Sequence, residues 1–165
     1  MYHGNLSVAE NKEAAAWLIR NVFSLVNVPF VIAGKGIPSS IVNLAKKHGN
    51  IRLVNNPPID EINAMVRDAH INVLPSMNRT GVKLKLLNAL LNGRFCVTNE
   101  PGIRGSRIEK GVTVATEVAA WQTTITSLMQ KEFSLEDKQE KDAVLALYNN
   151  KENARILSEQ WKHYR

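Results

Sequence analysis

Ile71-Asn72-Val73-Leu74-Pro75, Thr80-Gly81-Val82-Lys83-Leu84-Lys85-Leu86-Leu87-Asn88-Ala89-Leu90-Leu91-Asn92-Gly93 and Phe95-Cys96-Val97-Thr98 together decide the fold. The first and last are short apolar runs bounded by Pro75 and Gly93, the pattern of buried strands. The middle stretch is long enough for about three helical turns. It ends on Asn92-Gly93, a common C-terminal signal. Thr80 or Gly81 is placed to cap its start.

At about 100° per residue, Val82, Leu84, Leu86, Leu87, Ala89, Leu90 and Leu91 form a broad apolar arc. Lys85, Asn88 and Asn92 share the remaining face. Lys83 falls inside the apolar arc, in the first turn, where its charge opposes the positive end of the helix dipole. Two readings fit. Either Lys83 and the helix start both face an anion, since a helix N-terminus binds anions readily, or Lys83 snorkels its ammonium to water from a buried stem.

Outward from this unit the alternation continues. Met1-Tyr2-His3-Gly4 reads as a first strand, and a strand at residue 1 suggests a domain cut from a longer protein. Ser7-Val8-Ala9-Glu10 has the capping-box pattern and opens a helix through Trp17, Leu18, Val22 and Leu25. Phe30-Val31-Ile32-Ala33 is a second strand, followed by the turn Gly34-Lys35-Gly36. Pro38 suits the first position of the next helix, which reaches His48-Gly49. Ile51-Arg52-Leu53-Val54 is a third strand, and Asp60 caps a helix carrying Ile62, Met65, Val66 and Ala69. Beyond the strand at Phe95, residues 100–105 read as a loop and Val112-Thr113-Val114-Ala115 as a weak strand. Helical patterns then cover 118–130, 135–148 and 152–161.

Strands alternating with helices predict an α/β domain: a three-layer, Rossmann-like parallel sheet with helices on both faces and further C-terminal helices. In such sheets ligands sit beyond the carboxyl ends of the strands. The segments that land there are Gly4-Asn5, Gly34-Lys35-Gly36, Asn55-Asn56, 75–81 and 99–104. They are rich in glycine, amide and basic groups and poor in acids, which suits a phosphate-bearing ligand better than a metal.

The bulk properties agree. A chain of 165 residues fits a single domain over 1–165, and 44% apolar content is that of a folded globule. No apolar run is long enough to span a bilayer and no secretory leader is read at the start, so a cytoplasmic protein is expected. Cys96, the sole cysteine, lies in an apolar strand and reads as a buried structural thiol in a reducing compartment. Asn5-Leu6-Ser7 and Asn78-Arg79-Thr80 match the glycosylation sequon by chance. The net charge of +6 favours anionic partners without choosing among them. No basic stripe is interleaved with aromatics, so nucleic acid is not an expected partner.

Several chemistries are missing. Gly34-Lys35-Gly36-Ile37-Pro38-Ser39 is neither a dinucleotide fingerprint nor a P-loop. His3, His48, His70 and His163 have no metal spacing to one another or to Cys96, although His3 and His70 are candidates to flank the ligand end. Asp60-Glu61 and Glu136-Asp137 read as helix-start charges. No nucleophile elbow is present. The first and third strands end on Asn5 and Asn55, where a phosphoacceptor domain would need acids.

The motifs together resemble the C-terminal, donor-binding domain of the GT-B glycosyltransferases of family 4, or group 1, over roughly residues 2 to 130. Gly4-Asn5-Leu6-Ser7 is similar to that family's opening Gly-Arg-Leu-Ser. Ala33-Gly34-Lys35-Gly36 is similar to its Gly-x-Gly turn. Asp68-Ala69-His70-Ile71-Asn72-Val73-Leu74-Pro75-Ser76 resembles its Ala-Asp-Val-x-Val-x-Pro-Ser stretch. The run from Gly81 to Leu90 resembles a Gly-x-Lys-x-Lys-x-Leu-Glu-Ala signature.

The resemblance implies the donor half of a retaining, metal-independent hexosyltransferase with no cofactor beyond its nucleotide-sugar. The acceptor would be held by an N-terminal domain of the same protein, so the isolated chain is expected to be inactive. Peripheral membrane contact of the full-length enzyme is compatible with it. The donor-binding residues it implies are Gly4, Asn5, Gly34, Lys35, Thr80, Gly81, Lys83 and Asn88. Where the family often has an arginine and a lysine beside the phosphates, this chain has Asn5 and Glu10. Where it often has paired glutamates, this chain has Thr80 and Asn88. Those departures leave the phosphate contact to Lys83 and Lys35. They also keep a non-catalytic interaction module of the same fold, and a sugar-nucleotide epimerase, as alternatives.

Overall fold

The computed structural model describes residues 1–106, 108–146, 148 and 155. The elements run β1 (Tyr2–His3), α1 (Ala9–Leu18), β2 (Phe30–Gly34), α2 (Ser39–Ala45), β3 (Ile51–Asn55), α3 (Ile59–Asp68), β4 (Ile71–Val73), α4 (Leu84–Asn92), β5 (Phe95–Thr98), α5 (Glu100–Ile103), β6 (Thr113–Val114), α6 (Val118–Leu128) and α7 (Leu135–Ala146).

Every strand pair is parallel, with β2 central in β1-β2-β3 and β5 central in β4-β5-β6. Met1 stitches the two ladders together: its nitrogen donates to the Ile71 carbonyl, and its own carbonyl accepts from Val73 N at 2.8 Å. The spatial order is therefore β3-β2-β1-β4-β5-β6, the doubly wound order whose topological switch lies between β1 and β4. Right-handed crossovers place α1 and α2 on one face and α3 and α4 on the other. Packing of α1 on α2, α3 on α4 and α4 on α7 agrees. The Rossmann-like expectation holds.

The core is built from the strand and helix faces that the apolar pattern marked. Tyr2, Leu18, Ile32, Val73, Leu86, Leu90, Val97 and Trp121 are buried in one cluster. Trp121 meets Trp17 edge-on at 5.5 Å. Cys96 is a buried free thiol, and burial pushes its pKa up to about 12.

Local signals fared less evenly than the element order. The central helix starts at Leu84, with Lys83 at the cap position, and neither Thr80 nor Gly81 caps it. Gly81 instead takes φ +67 in the loop ahead of it, a conformation that favours glycine. Leu84 and Leu91 are 78% and 67% exposed, so the apolar arc is narrower than the wheel suggested. The helix does stop at Asn92, but Gly93 is extended. Its glycine is required by crowding, because a Cβ there would lie 2.4 Å from Asn72 Nδ2.

The capping box at Ser7 does not form. Val8, whose side chain cannot hydrogen-bond, occupies the cap position, and the Ser7 hydroxyl donates to Asn5 Oδ1 at 2.7 Å instead of capping the helix. A reciprocal box forms at the start of α7 instead. There the Asp137 carboxylate accepts from Ser134 N at 3.0 Å, and Ser134 Oγ accepts from Asp137 N at 3.2 Å. α1 passes into a π-helical turn at Ile19–Phe23 rather than remaining regular, and its Phe23 stacks on Phe30 at 3.6 Å. Pro38 and Pro58 sit at cap positions, so Asp60 lies in the first turn of α3 and does not cap it. α2 ends at Ala45, short of His48. Residues 100–103 are a short helix rather than a loop, because Asn99 Oδ1 accepts from Gly102 N at 3.2 Å. The expected helix at 152–161 lies outside the described residues, apart from Arg155.

Candidate functional site

Where β1 and β4 diverge at their carboxyl ends, a crevice of ≈ 460 Å³ opens. Its walls come from the β1–α1 loop, the start of α1, the β4–α4 loop and the start of α4. Gly4, Asn5, Glu10, Asn11, Ser76, Asn78, Thr80, Lys83 and Lys85 are among its lining residues.

Both loops are held by polar groups of their own. On the β1 side, Gly4 N donates to the Ala33 carbonyl at 3.1 Å, which carries the β1–β2 pairing one residue past the strand. Asn5 Oδ1 accepts from Ser7 N at 3.1 Å, an Asx turn, and the Asn5 carbonyl accepts from Asn11 Nδ2 at 2.9 Å. On the β4 side, Ser76 and Asn99 exchange two bonds: Ser76 N donates to Asn99 Oδ1 and Asn99 Nδ2 to the Ser76 carbonyl, each at 2.9 Å.

The charges are arranged around Asn78. Its amide nitrogen donates to both oxygens of the Glu10 carboxylate at 2.6 Å, and its amide oxygen accepts from the Lys83 ammonium. Lys83 also donates to the Thr80 carbonyl. The half-buried Lys83 side chain turns back onto two loop oxygens at the crevice, and its bond to the Thr80 carbonyl is exposed to solvent.

Lys85 reaches across the switch point from α4. Its ammonium donates to Asn11 Oδ1 at 3.0 Å and to the Tyr2 hydroxyl at 3.3 Å, and lies 4.9 Å from the centre of the Tyr2 ring. Burial lowers its pKa to about 8; Glu10 opposes that shift and Lys83 adds to it. One residue before Gly4, His3 is buried with Nδ1 unpartnered. Burial first, and then the nearby Lys85 charge, lower its pKa to about 4, so it is neutral near pH 7.

Of the residues named from sequence, Gly4, Asn5, Thr80 and Lys83 line this crevice, while Gly34, Lys35, Gly81 and Asn88 do not. Gly34 has a packing reason instead: a Cβ there would lie 1.8 Å from the Gly4 carbonyl oxygen. Lys35 is exposed one loop away. Asn88 points along α4 and toward α3, accepting from Asn92 Nδ2 at 2.6 Å and facing Asn63 at 3.5 Å. His70 does not flank the ligand end. It precedes β4, at the opposite edge, with Nε2 2.8 Å from the Leu128 carbonyl. Among the described residues no group of three His, Cys, Asp or Glu is placed to hold a metal ion.

Asn11 and Lys85 were missed as crevice residues, while Asn78 fell within the 75–81 segment placed at the ligand end but was given no role of its own. Lys85 was visible as a polar first-turn residue, but its reach to β1 spans 83 positions and leaves no local mark.

Fold and crevice together define a Rossmann-like domain with an amide- and lysine-lined cleft at its switch point. The chain belongs to the group 1 glycosyl transferases, whose family model matches residues 1–131. It is also 29% identical over 121 residues to an uncharacterized 44.6 kDa protein in a cps region of Klebsiella pneumoniae. That match covers 67% of this chain and 31% of the relative, so the chain spans about a third of the relative's length.

Proposed function

We propose that this chain is the donor-binding half of a retaining, metal-independent hexosyltransferase. The full enzyme would move a sugar from a nucleotide-sugar to an acceptor glycan or lipid-linked glycan. The observation that carries this reading is the switch-point crevice, with Lys83 at the cap of α4, in a chain of this family.

The physical reasoning is electrostatic. The first amides of α4 have no partner within the helix and present the positive end of its dipole. A diphosphate in front of them gains charge-assisted bonds. Lys83 exchanges neutral loop oxygens for phosphate oxygens, and the Gly4-Asn5 backbone and Thr80 bound the remaining space. As the sugar leaves, negative charge grows on the diphosphate, and groups already aimed at it stabilise that charge without a metal.

The acceptor is assigned to a separate N-terminal domain of the same protein, so this chain alone binds donor and transfers nothing. The greater length of the relative supports that arrangement, and its cps location supports a setting in polysaccharide biosynthesis. The proposed site of action is the cytoplasm, with peripheral membrane contact by the full-length enzyme. A buried free thiol suits a reducing compartment, and no described helix is long and apolar enough to cross a membrane.

Calorimetry with uridine and guanosine diphospho-sugars, and with free UDP and GDP, tests the reading. Saturable binding by at least one is expected, and no heat with any of them would sink it. One observation favours a second reading, a non-catalytic interaction module. Lys83, Asn78 and Glu10 already satisfy one another. That reading predicts no nucleotide binding and a stable protein complex in its place.

A further inference from the structure

We propose that Lys85 is a second phosphate-binding cation of this crevice, reaching the diphosphate from the β1 side while Lys83 meets it from the loop side. The inference rests on the donor-binding reading above and adds a residue that reading does not use. Lys85 lines the crevice, yet among the described residues its hydrogen-bond partners are neutral: the Asn11 side-chain oxygen and the Tyr2 hydroxyl. An ammonium has three donors, and two of them are accounted for.

The charged and titratable groups around it are few. β1 contributes Tyr2 and His3, α1 contributes Glu10, and the cap of α4 contributes Lys83. The Glu10 carboxylate is bound by Asn78 instead of by either lysine. His3 is neutral, and burial raises the Tyr2 pKa, so neither offsets the lysine charge. Two ammonium groups therefore share one crevice with a single carboxylate, and among the described residues neither makes a direct ion pair. A bound diphosphate supplies counter-charge for the positive excess that Glu10 leaves.

This arrangement has a signature in pH. Below about pH 8 Lys85 is charged before the ligand arrives, and affinity is flat. Above it, binding must take up a proton, and affinity falls about tenfold between about pH 7 and about pH 9. The test is calorimetry of the 165-residue chain with UDP and GDP across that range, with two variants alongside. Lys85→Met should bind more weakly near pH 7 and lose the Lys85-dependent slope. Lys85→Arg should keep the affinity near pH 7 and also hold it near pH 9, because guanidinium does not deprotonate there. Titrations of the nucleotide itself are common to all three proteins. If Lys85→Met does not fold, the flattened profile of Lys85→Arg decides. Wild-type affinity and slope in the variants would overturn the role of Lys85 alone. Absence of binding by the wild-type chain at every pH would overturn this inference together with the donor-binding reading.

Discussion

The loop after β2 and the loop after β4 leave the sheet on the same edge, and each combines glycine and lysine. In the first, the backbone donors are taken up by the two asparagines at the end of β3. Gly36 N donates to Asn56 Oδ1 at 3.0 Å and Ile37 N to Asn55 Oδ1 at 3.1 Å. Gly34 is pressed against the Gly4 carbonyl, and Lys35 points out, exposed. In the second, the polar groups surround a space. Ser76 and Asn99 anchor the base, and Asn78 holds Glu10 on one side and Lys83 on the other. Residue content marked both loops as ligand contacts. What separates them is where each N–H and ammonium is already spent, and that follows from the strand order: only β4 borders β1 across the switch.

The contrast can be broken most sharply at Gly34. Gly34→Ala puts a Cβ 1.8 Å from a backbone oxygen and 2.9 Å from Leu6 Cδ1, so β1 and β2 must separate. A loss of about 3 kcal/mol or more in urea unfolding is expected. If its stability matches wild type, the packing account of that loop is wrong. Next comes Lys83→Ala, which should lower UDP or GDP affinity about tenfold near pH 7, since it removes a charge-assisted bond. Unchanged affinity would move the phosphate site away from the β4 loop. Glu10→Gln takes a negative charge out of the crevice and should strengthen binding about twofold to threefold, measured in low salt, where the effect is largest. The smallest effect belongs to Lys35→Ala, with stability within about 0.5 kcal/mol of wild type and nucleotide affinity unchanged. A clear loss of affinity there would restore the β2 loop to the site.

Fold and site were not equally legible in the sequence. The strands were read from apolar runs cut by proline, glycine or asparagine, most clearly β2, β4 and β5, which the parallel sheet buries almost throughout, whereas β6, with both residues exposed, gave only a weak signal. Caps were read poorly, because they depend on a competition between side chains. Ser7 matched a capping pattern, but Asn5, two residues earlier, captured its hydroxyl and amide. Glu10 was claimed by Asn78 from 68 positions away. The start of α4 slipped to Leu84 for a related reason: Gly81 and the Lys83–Thr80 bond shape an irregular loop where the pattern alone allowed another turn. Of the residues named from motifs, Gly4, Asn5, Thr80 and Lys83 line the crevice, and Gly34, Lys35, Gly81 and Asn88 do not. Lys85 meets Asn11 and Tyr2 across 74 and 83 positions, and Asn78 joins nearby Lys83 to Glu10, 68 positions away, so no single window of sequence contains these contacts.

The seam at Met1 has a consequence for how this molecule assembles. Its bonds to Ile71 and Val73 close a circuit of 70 residues. Closing a loop of that span costs about 1 kcal/mol more chain entropy than closing those of the nearer strand pairs, so the seam is expected to form after them. Each half-sheet can zip up before the seam shuts, yet neither half alone owns both walls of the crevice. Ligand capture should therefore count only finished molecules, and a nucleotide titration would serve as a gauge of how much of a preparation has reached its last step.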